Sequence, residues 1–323
     1  MRGFRRVLTP FAPDQSGAVS YVYSKGGMIV IIDAGGCTGN ICGFDEHRWV
    51  SAGMGARTAV FSAGLRDMDA ILGRDKELVE KLSSAAEAIK PKFIALIGTP
   101  VPSVIATDYM ALKRMSEKSC GVKTITIQTN GMELYDKGIE RAAGAIGSEA
   151  ISSGDMVGFT PMDFAEFRED DVKEAWKADK AADILALSPA VLKVVREVCK
   201  NKGLSYEYGF PKAGEWLENV PDLSGKKVLI VHQQAAAHSL RKEIEKRYRG
   251  TDVTVASFFM MDSEYKREQD VKLKEEYDLT DLAGRENYDV IFADPIMKPL
   301  VKTECEWIDM MHFAVSGQRP EGT

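Results

Sequence analysis

Cys37 and Cys42 stand five residues apart in the run Ala34-Gly35-Gly36-Cys37-Thr38-Gly39-Asn40-Ile41-Cys42-Gly43. Thiolates are soft ligands, so two of them in a glycine-rich turn suit iron or an iron–sulfur cluster. The same glycines, Gly36 and Gly39 among them, let a backbone bend sharply and bring N–H groups close to a bound group, which a phosphate would also use. Phosphate binding finds little support. The spacing departs from G-x-G-x-x-G, and no P-loop lysine follows. The bland alternative is a Cys37 packed at a tight turn and a Cys42 facing the core of the next helix, since buried free cysteine behaves as a small hydrophobe.

The remaining cysteines read as structural. Cys120 ends a helix-like stretch before Gly121, Cys199 lies on the apolar face of Val194, Val195 and Val198, and Cys305 sits between glutamates. An odd count of five argues against a disulfide framework and for reduced thiols or metal ligands. Asp33 could support the turn or add a ligand, with a structural role as the ordinary reading. His47, beside Asp45 and Glu46, could contribute a contact or a proton near Cys42, or simply end a solvated helix. His232 follows a strand, where open α/β sheets place ligands, and His238 is six residues further on. His312 reads as packed against the final strand. The catalytic residues are unknown at this stage.

Positioning such a turn requires a strand before it and a helix after it, and the chain supplies that alternation repeatedly. Strands are expected over Met28–Asp33, Thr58–Ser62, Phe93–Gly98 and Lys123–Gln128. Helical segments are expected over Asp67–Lys90 and Ser103–Lys118, the first with Leu78, Leu82 and Ala85 or Ile89 at helical spacing. Pro10, Pro13 and Gly17 make the first 23 residues an irregular arm that becomes regular near Ala18. Further strands follow at Asp183–Leu187, Ser205–Tyr208, Lys227–Val231, Val253–Ser257 and Val290–Ala293, with helices over Pro189–Lys202 and Ala237–Tyr248.

These elements predict an α/β protein of Rossmann-like open parallel sheets covered by helices, in two or more lobes. The expected organisation is an N-terminal lobe over 1–150, a helical connection over 151–180 and a C-terminal lobe over 181–323. The composition, 45% hydrophobic and 28% charged, is that of a globular protein. A net charge of −6 argues against nucleic acid or an anionic membrane as partner. With no signal-peptide core and no run of about 18 apolar residues, the expectation is a soluble, cytoplasmic protein.

In order and spacing, several stretches together resemble the nitrogenase component 1 type oxidoreductases, the family of the nitrogenase α and β subunits and of dark-operative protochlorophyllide reductase. Ala34-Gly35-Gly36-Cys37-Thr38-Gly39 is similar to the family's glycine–cysteine turn. Phe61 to Gly73 with Glu77-Leu78 resembles its next strand and helix, and Pro91 to Asp108 the strand, turn and helix start after that. Gln128-Thr129-Asn130-Gly131 stands at the family's threonine–proline–glycine turn, and Asp183–Pro189 and Gly225–His232 resemble its later domains.

The resemblance implies a cluster-binding oxidoreductase, and the departures from it carry as much weight. Members with three cysteine ligands per subunit have one in an N-terminal turn, here near Phe11 to Ser16, and one in the turn after the third strand, here at Pro100. Neither position holds cysteine, and Cys42 is extra. The resemblance therefore implies a homodimer holding one 4Fe-4S cluster between two copies of Cys37 and Cys42, with Gly36 and Gly39 offering backbone N–H groups. It further implies an ATP-hydrolysing, nitrogenase reductase-like iron–sulfur protein as electron donor and a small-molecule substrate. The alternative on the same fold is a non-catalytic scaffold for cofactor or cluster assembly, or a metal-free small-molecule binding protein.

Overall fold

The computed structural model describes residues 5–23, 25–46, 58–66, 75–100, 102, 107–164, 166–178 and 181–317. Position 47, residues 51–57 and the segments 67–74 and 103–106 lie outside this set, and with them the expectations for His47, the link after Trp49, the start of the Asp67–Lys90 segment and the start of the Ser103–Lys118 helix. The chain divides into two compact units, Ala12–Gly147 and Met1–Phe11 with Ser148–Thr323.

The first unit is built on a four-stranded parallel sheet, β1 (Met28–Ile31), β2 (Ala59–Ser62), β3 (Ile94–Ile97) and β4 (Thr124–Ile127), in the order β2-β1-β3-β4. β1 and β3 are buried along their whole length, which is why they read as uninterrupted apolar runs. One face packs Met28, Val30, Ile94 and Leu96 against Leu78, Val79, Leu82 and Ala86 of α3 (Asp75–Ile89) and Leu112 of α4 (Tyr109–Cys120). α4 opens where Asp108 accepts from the amides of Met110 and Ala111 and closes at Gly121 in the left-handed region. Between β1 and β2 lies α2 (Gly36–Asn40), which runs on into a π-helical turn over Ile41–Glu46.

α1 (Asp14–Tyr23) and α5 (Tyr135–Ile146) pack together in the same unit. The helix begins earlier than the prolines and Gly17 suggest, because Gly17 is an approach point and not a breaker. A Cβ on Gly17 would sit 1.8 Å from the Tyr135 carbonyl oxygen, and one on Gly138 would sit 1.7 Å from that of Asp14. Every residue of α1 is buried, so its sequence carries no amphipathic period for a reader to find.

The second unit holds two parallel sheets. The larger has β8 (Lys227–Val231), β9 (Asp252–Ser257), β10 (Val271–Lys272), β11 (Val290–Ala293) and β12 (Glu306–Asp309) in the order β10-β9-β8-β11-β12. The smaller has β5 (Met156–Val157), β6 (Ile184–Ala186) and β7 (Tyr206–Tyr208) in sequence order. The expected α/β class with parallel sheets is thus what the chain forms. The segment 151–180, expected as a helical connection, contains β5, α6 (Pro161–Phe164) and α7 (Glu169–Ala178) among its described residues and belongs to this unit. Phe164, Phe167, Val172 and Trp176 from that segment enter the same core as Val228, Ile230 and Phe292 of the larger sheet.

α8 (Leu192–Lys202), α9 (Gln234–Arg247) and α10 (Glu276–Glu286) follow β6, β8 and β10. The start of the chain docks here as well. The Glu276 carboxylate accepts the backbone amides of Arg6, Val7 and Leu8, and Phe11 sits edge-on to Phe258 at 5.2 Å. Among the described residues no helix is long and apolar enough to cross a membrane.

Candidate functional site

In the order β2-β1-β3-β4 the chain leaves β1 toward β2 and then crosses back to β3, so the carboxyl ends of β1 and β3 flank the point where an open parallel sheet offers a crevice. The turn after β1 carries Asp33, Gly35 and Cys37, and the turn after β3 carries Thr99 and Pro100. Asp33 closes the first turn. Its carboxylate accepts from the Thr38 amide at 2.8 Å, the Thr38 hydroxyl at 3.0 Å and the Ser62 hydroxyl at 2.6 Å. Gly35, at φ 111°, takes the backbone into a conformation that a side chain resists, and Gly39 donates to its carbonyl at 2.9 Å.

Cys37 lies in the first turn of α2 and is partly exposed. Burial and the neighbouring Asp33 carboxylate push its thiol up, while hydrogen bonding from Gln15 and Thr99 acts in the opposite direction. Those two donors are not equivalent. Thr99 has one hydroxyl proton, and it is donated to the Ile32 carbonyl at 2.8 Å. Cys42 stands in the π-helical turn, also partly exposed. Gly36 and Gly39 lie in α2, and a Cβ at either, or at Gly35 or Gly43, would meet nothing within 4 Å among the described residues.

Gln15 reaches this turn from the N-terminal end of α1. Asp14 anchors that end by accepting the Asn130 and Gly131 amides at 3.0 and 2.7 Å and the Arg141 guanidinium at 2.7 Å. A Cβ on Gly131 would lie 2.9 Å from Gln15 Oε1 and 2.9 Å from the Pro100 ring. Gln15, Cys37 and Pro100 thus converge at one corner of the unit. Beside it a hollow of about 430 Å³ is lined by Pro102, Asp108, Tyr109, Gln128 and Asn130 among others.

The histidines form a separate cluster in the second unit. His232 follows β8 and His312 opens α11 (Phe313–Ser316), and their rings stack with centroids 4.3 Å apart. His312 Nε2 lies 3.4 Å from Asp163, His232 Nε2 contacts the Met311 carbonyl at 3.1 Å, and His232 Nδ1 has no partner. Burial pushes both imidazoles down to about 3, with mutual repulsion adding to the effect on His232. Asp294, at the end of β11, accepts the His312 amide at 2.9 Å and the Ser316 hydroxyl at 2.7 Å. His238 is on α9 against Tyr208 and Tyr265, likewise pushed down by burial, to about 4. The strand-end position of His232 is occupied by packed side chains of its own unit, not by an open pocket.

A family model described as nitrogenase component 1 type oxidoreductase matches residues 25–291 of this chain. The chain belongs to that family. In fold it is similar to nitrogenase Cp1 at pH 6.5, with a TM-score of 0.60 over 95% of this chain and 87% of that one at 14% identity. It is similar to the same protein at pH 5, with a TM-score of 0.56 over 99% of this chain and 86% of that one, again at 14% identity. In sequence it is 27% identical over 77 residues to the nitrogenase iron–molybdenum cofactor biosynthesis protein NifE of Methanococcus maripaludis, a match that spans 24% of this chain and 16% of that relative.

The resemblance leads one to expect cysteine ligands at Cys37, at Pro100 and within the window Phe11 to Ser16, and only the first of these is cysteine here. Sequence reasoning pointed to Cys37 and Pro100 but passed over Gln15, which lay inside the window Phe11 to Ser16. Among the described residues no group of three or more His, Cys, Asp or Glu side chains is arranged to hold a metal ion. The two thiols of one chain fall short of the four ligands a cubane cluster takes, so the donor set fits such a cluster only when a second copy completes it.

Proposed function

We propose that this protein is a nitrogenase-like iron–sulfur oxidoreductase component in which Cys37 and Cys42 of two copies hold one 4Fe-4S cluster at a twofold axis. The observation that carries this reading is a partly exposed thiol in the glycine-bearing turn that follows β1, at the β1/β3 switch point of the sheet. Bound there, the cluster would accept and pass on single electrons. Gly36 and Gly39 admit a close approach of the backbone, and the Asp33–Thr38 bonds fix the turn that presents Cys37.

In this reading the electron donor is an ATP-hydrolysing, nitrogenase reductase-like iron–sulfur protein, and the acceptor is a small unsaturated molecule. The expected setting is the cytoplasm. Anaerobic purification tests it: about four irons and four sulfides per dimer are expected. Their retention in a Cys37→Ser/Cys42→Ser variant would refute it.

The likeness to NifE, a cofactor biosynthesis protein, favours a second reading in which the same cluster corner serves assembly of a cofactor without turnover. Reduction by the donor and ATP separates the two. Electron transfer to an added acceptor supports the oxidoreductase, and its absence from a cluster-loaded dimer supports the scaffold.

A further inference from the structure

Residues 5–11 are held against the second unit by few ties. Among the described residues, none of them enters a backbone–backbone hydrogen bond. Instead three consecutive amides, those of Arg6, Val7 and Leu8, donate to the one carboxylate of Glu276, the last two at 3.1 and 3.0 Å. Leu8 and Phe11 are buried, while Arg5, Arg6, Thr9 and Pro10 face solvent, and Pro10 has no N–H with which to add a further tie. On one side a hollow of about 380 Å³ opens between Arg6, Val7, Tyr277, Pro299, Leu300 and Lys302, so the segment is not packed in there. A segment tied this sparsely opens locally while the rest of its unit stays folded.

What the segment covers gives that opening a consequence. Phe11 packs on Phe258 and Phe259, ring centroids 5.2 and 5.5 Å away, just past the carboxyl end of β9. Phe259 meets His312 edge-on at 4.7 Å, and His312 stacks on His232 at 4.3 Å. His232 and Asp294 follow β8 and β11, the neighbours between which the strand order of the larger sheet reverses. With Nε2 of His232 donating to the Met311 carbonyl, Nδ1 is a bare acceptor, buried and without a partner. A buried polar atom left unsatisfied lowers stability and calls for an explanation, and a crevice that is shut only between openings supplies one.

We infer that residues 5–11 form a strap that Glu276 latches over the His232–His312 pair, and that its release, with Phe11 withdrawn, opens the β8/β11 crevice to solvent. Because the latch is a single carboxylate, one side chain sets the balance between the closed and the open strap.

Hydrogen exchange and diethyl pyrocarbonate labelling, both read residue by residue on the full chain at one pH near 7, test this. In Glu276→Gln, which lacks the charge and one acceptor oxygen, exchange at the Val7 and Leu8 amides should speed up roughly tenfold, the effect of losing about one charge-assisted hydrogen bond. Labelling of His312 should rise by a similar factor, while labelling of His238 and exchange in β8 and β11 stay as in wild type. Phe11→Ala leaves the Glu276 bonds in place and should also raise His312 labelling with β8 and β11 unchanged; it decides alone if Glu276→Gln does not fold. Unchanged His312 labelling in either variant overturns the strap. So does labelling that rises only in step with exchange in β8 and β11, which reports opening of the whole unit.

Discussion

Asp33 holds Thr38 twice, through the backbone amide at 2.8 Å and the hydroxyl at 3.0 Å, and Cys37 is the residue caught between them. With Ser62 as a third donor, the aspartate ties the turn to the neighbouring strand β2. Its carboxylate therefore acts as a brace for the Cys37 turn, and a ligand role for Asp33 would have to break those bonds.

Asp33→Asn exchanges a charge-assisted acceptor for a neutral amide whose NH2 end cannot accept, and should cost about 1–2 kcal/mol in chemical denaturation. The same change removes the charge that helps push the Cys37 thiol up. Cys37 should then label faster than in wild type at a given pH. A slower rate would show that the brace affects Cys37 by access alone.

Asp14→Ala would leave two turn amides without their buried acceptor and Arg141 with Glu133 as its remaining carboxylate partner. A loss of about 3 kcal/mol is expected from urea melts, discounted for the partial exposure of Arg141. An unchanged midpoint would mean that the Asn130–Gly131 turn holds its place without the clamp.

Gly138→Ala should destabilise the first unit by about 3 kcal/mol or more, because the new methyl lies 1.7 Å from the Asp14 carbonyl and meets backbone. Gly144→Ala on the same helix meets nothing within 4 Å and should be neutral or slightly stabilising. Equal thermal midpoints for the two variants would contradict the close helix crossing.

These helices also show where sequence reading stops. β1, β3, β8 and β11 were legible because strands buried on both faces are written as unbroken apolar runs, and α3 because one of its faces is wet. α1 was read as an arm, since a fully buried helix with Asp14, Gln15, Ser16 and Gly17 at its start has neither period nor propensity to announce it. The Cys37 turn was visible from residue type and spacing. The approach of Gln15 to Gly131 was not, because it joins positions more than a hundred residues apart in sequence, and no local signal encodes such a meeting.

The buried histidine pair makes a pH prediction. Both imidazoles sit near 3 in the folded protein and near 6.5 when unfolded, so between those values the unfolded chain binds more protons and stability falls as pH drops. Glu166, hydrogen-bonded to the Trp216 indole, works in the opposite sense. Burial raises it to about 7, so its contribution declines as pH climbs from about 4.5 to 7. Two histidines outweigh one glutamate, so the net contribution of these three groups still rises with pH between about 4.5 and 6.5. His312→Gln should flatten the acid limb of a stability–pH curve, and an identical limb would show that the pair is not its source.

The central claim is that two copies of the Cys37 turn make one metal site. It is tested most directly by counting iron and sulfide in the anaerobically purified protein while measuring its mass in solution. The account predicts a dimer with about four irons and four sulfides, both lost in Cys37→Ser/Cys42→Ser with the fold intact by circular dichroism. A colourless, iron-free protein that stays so after anaerobic reconstitution with iron and sulfide would contradict it.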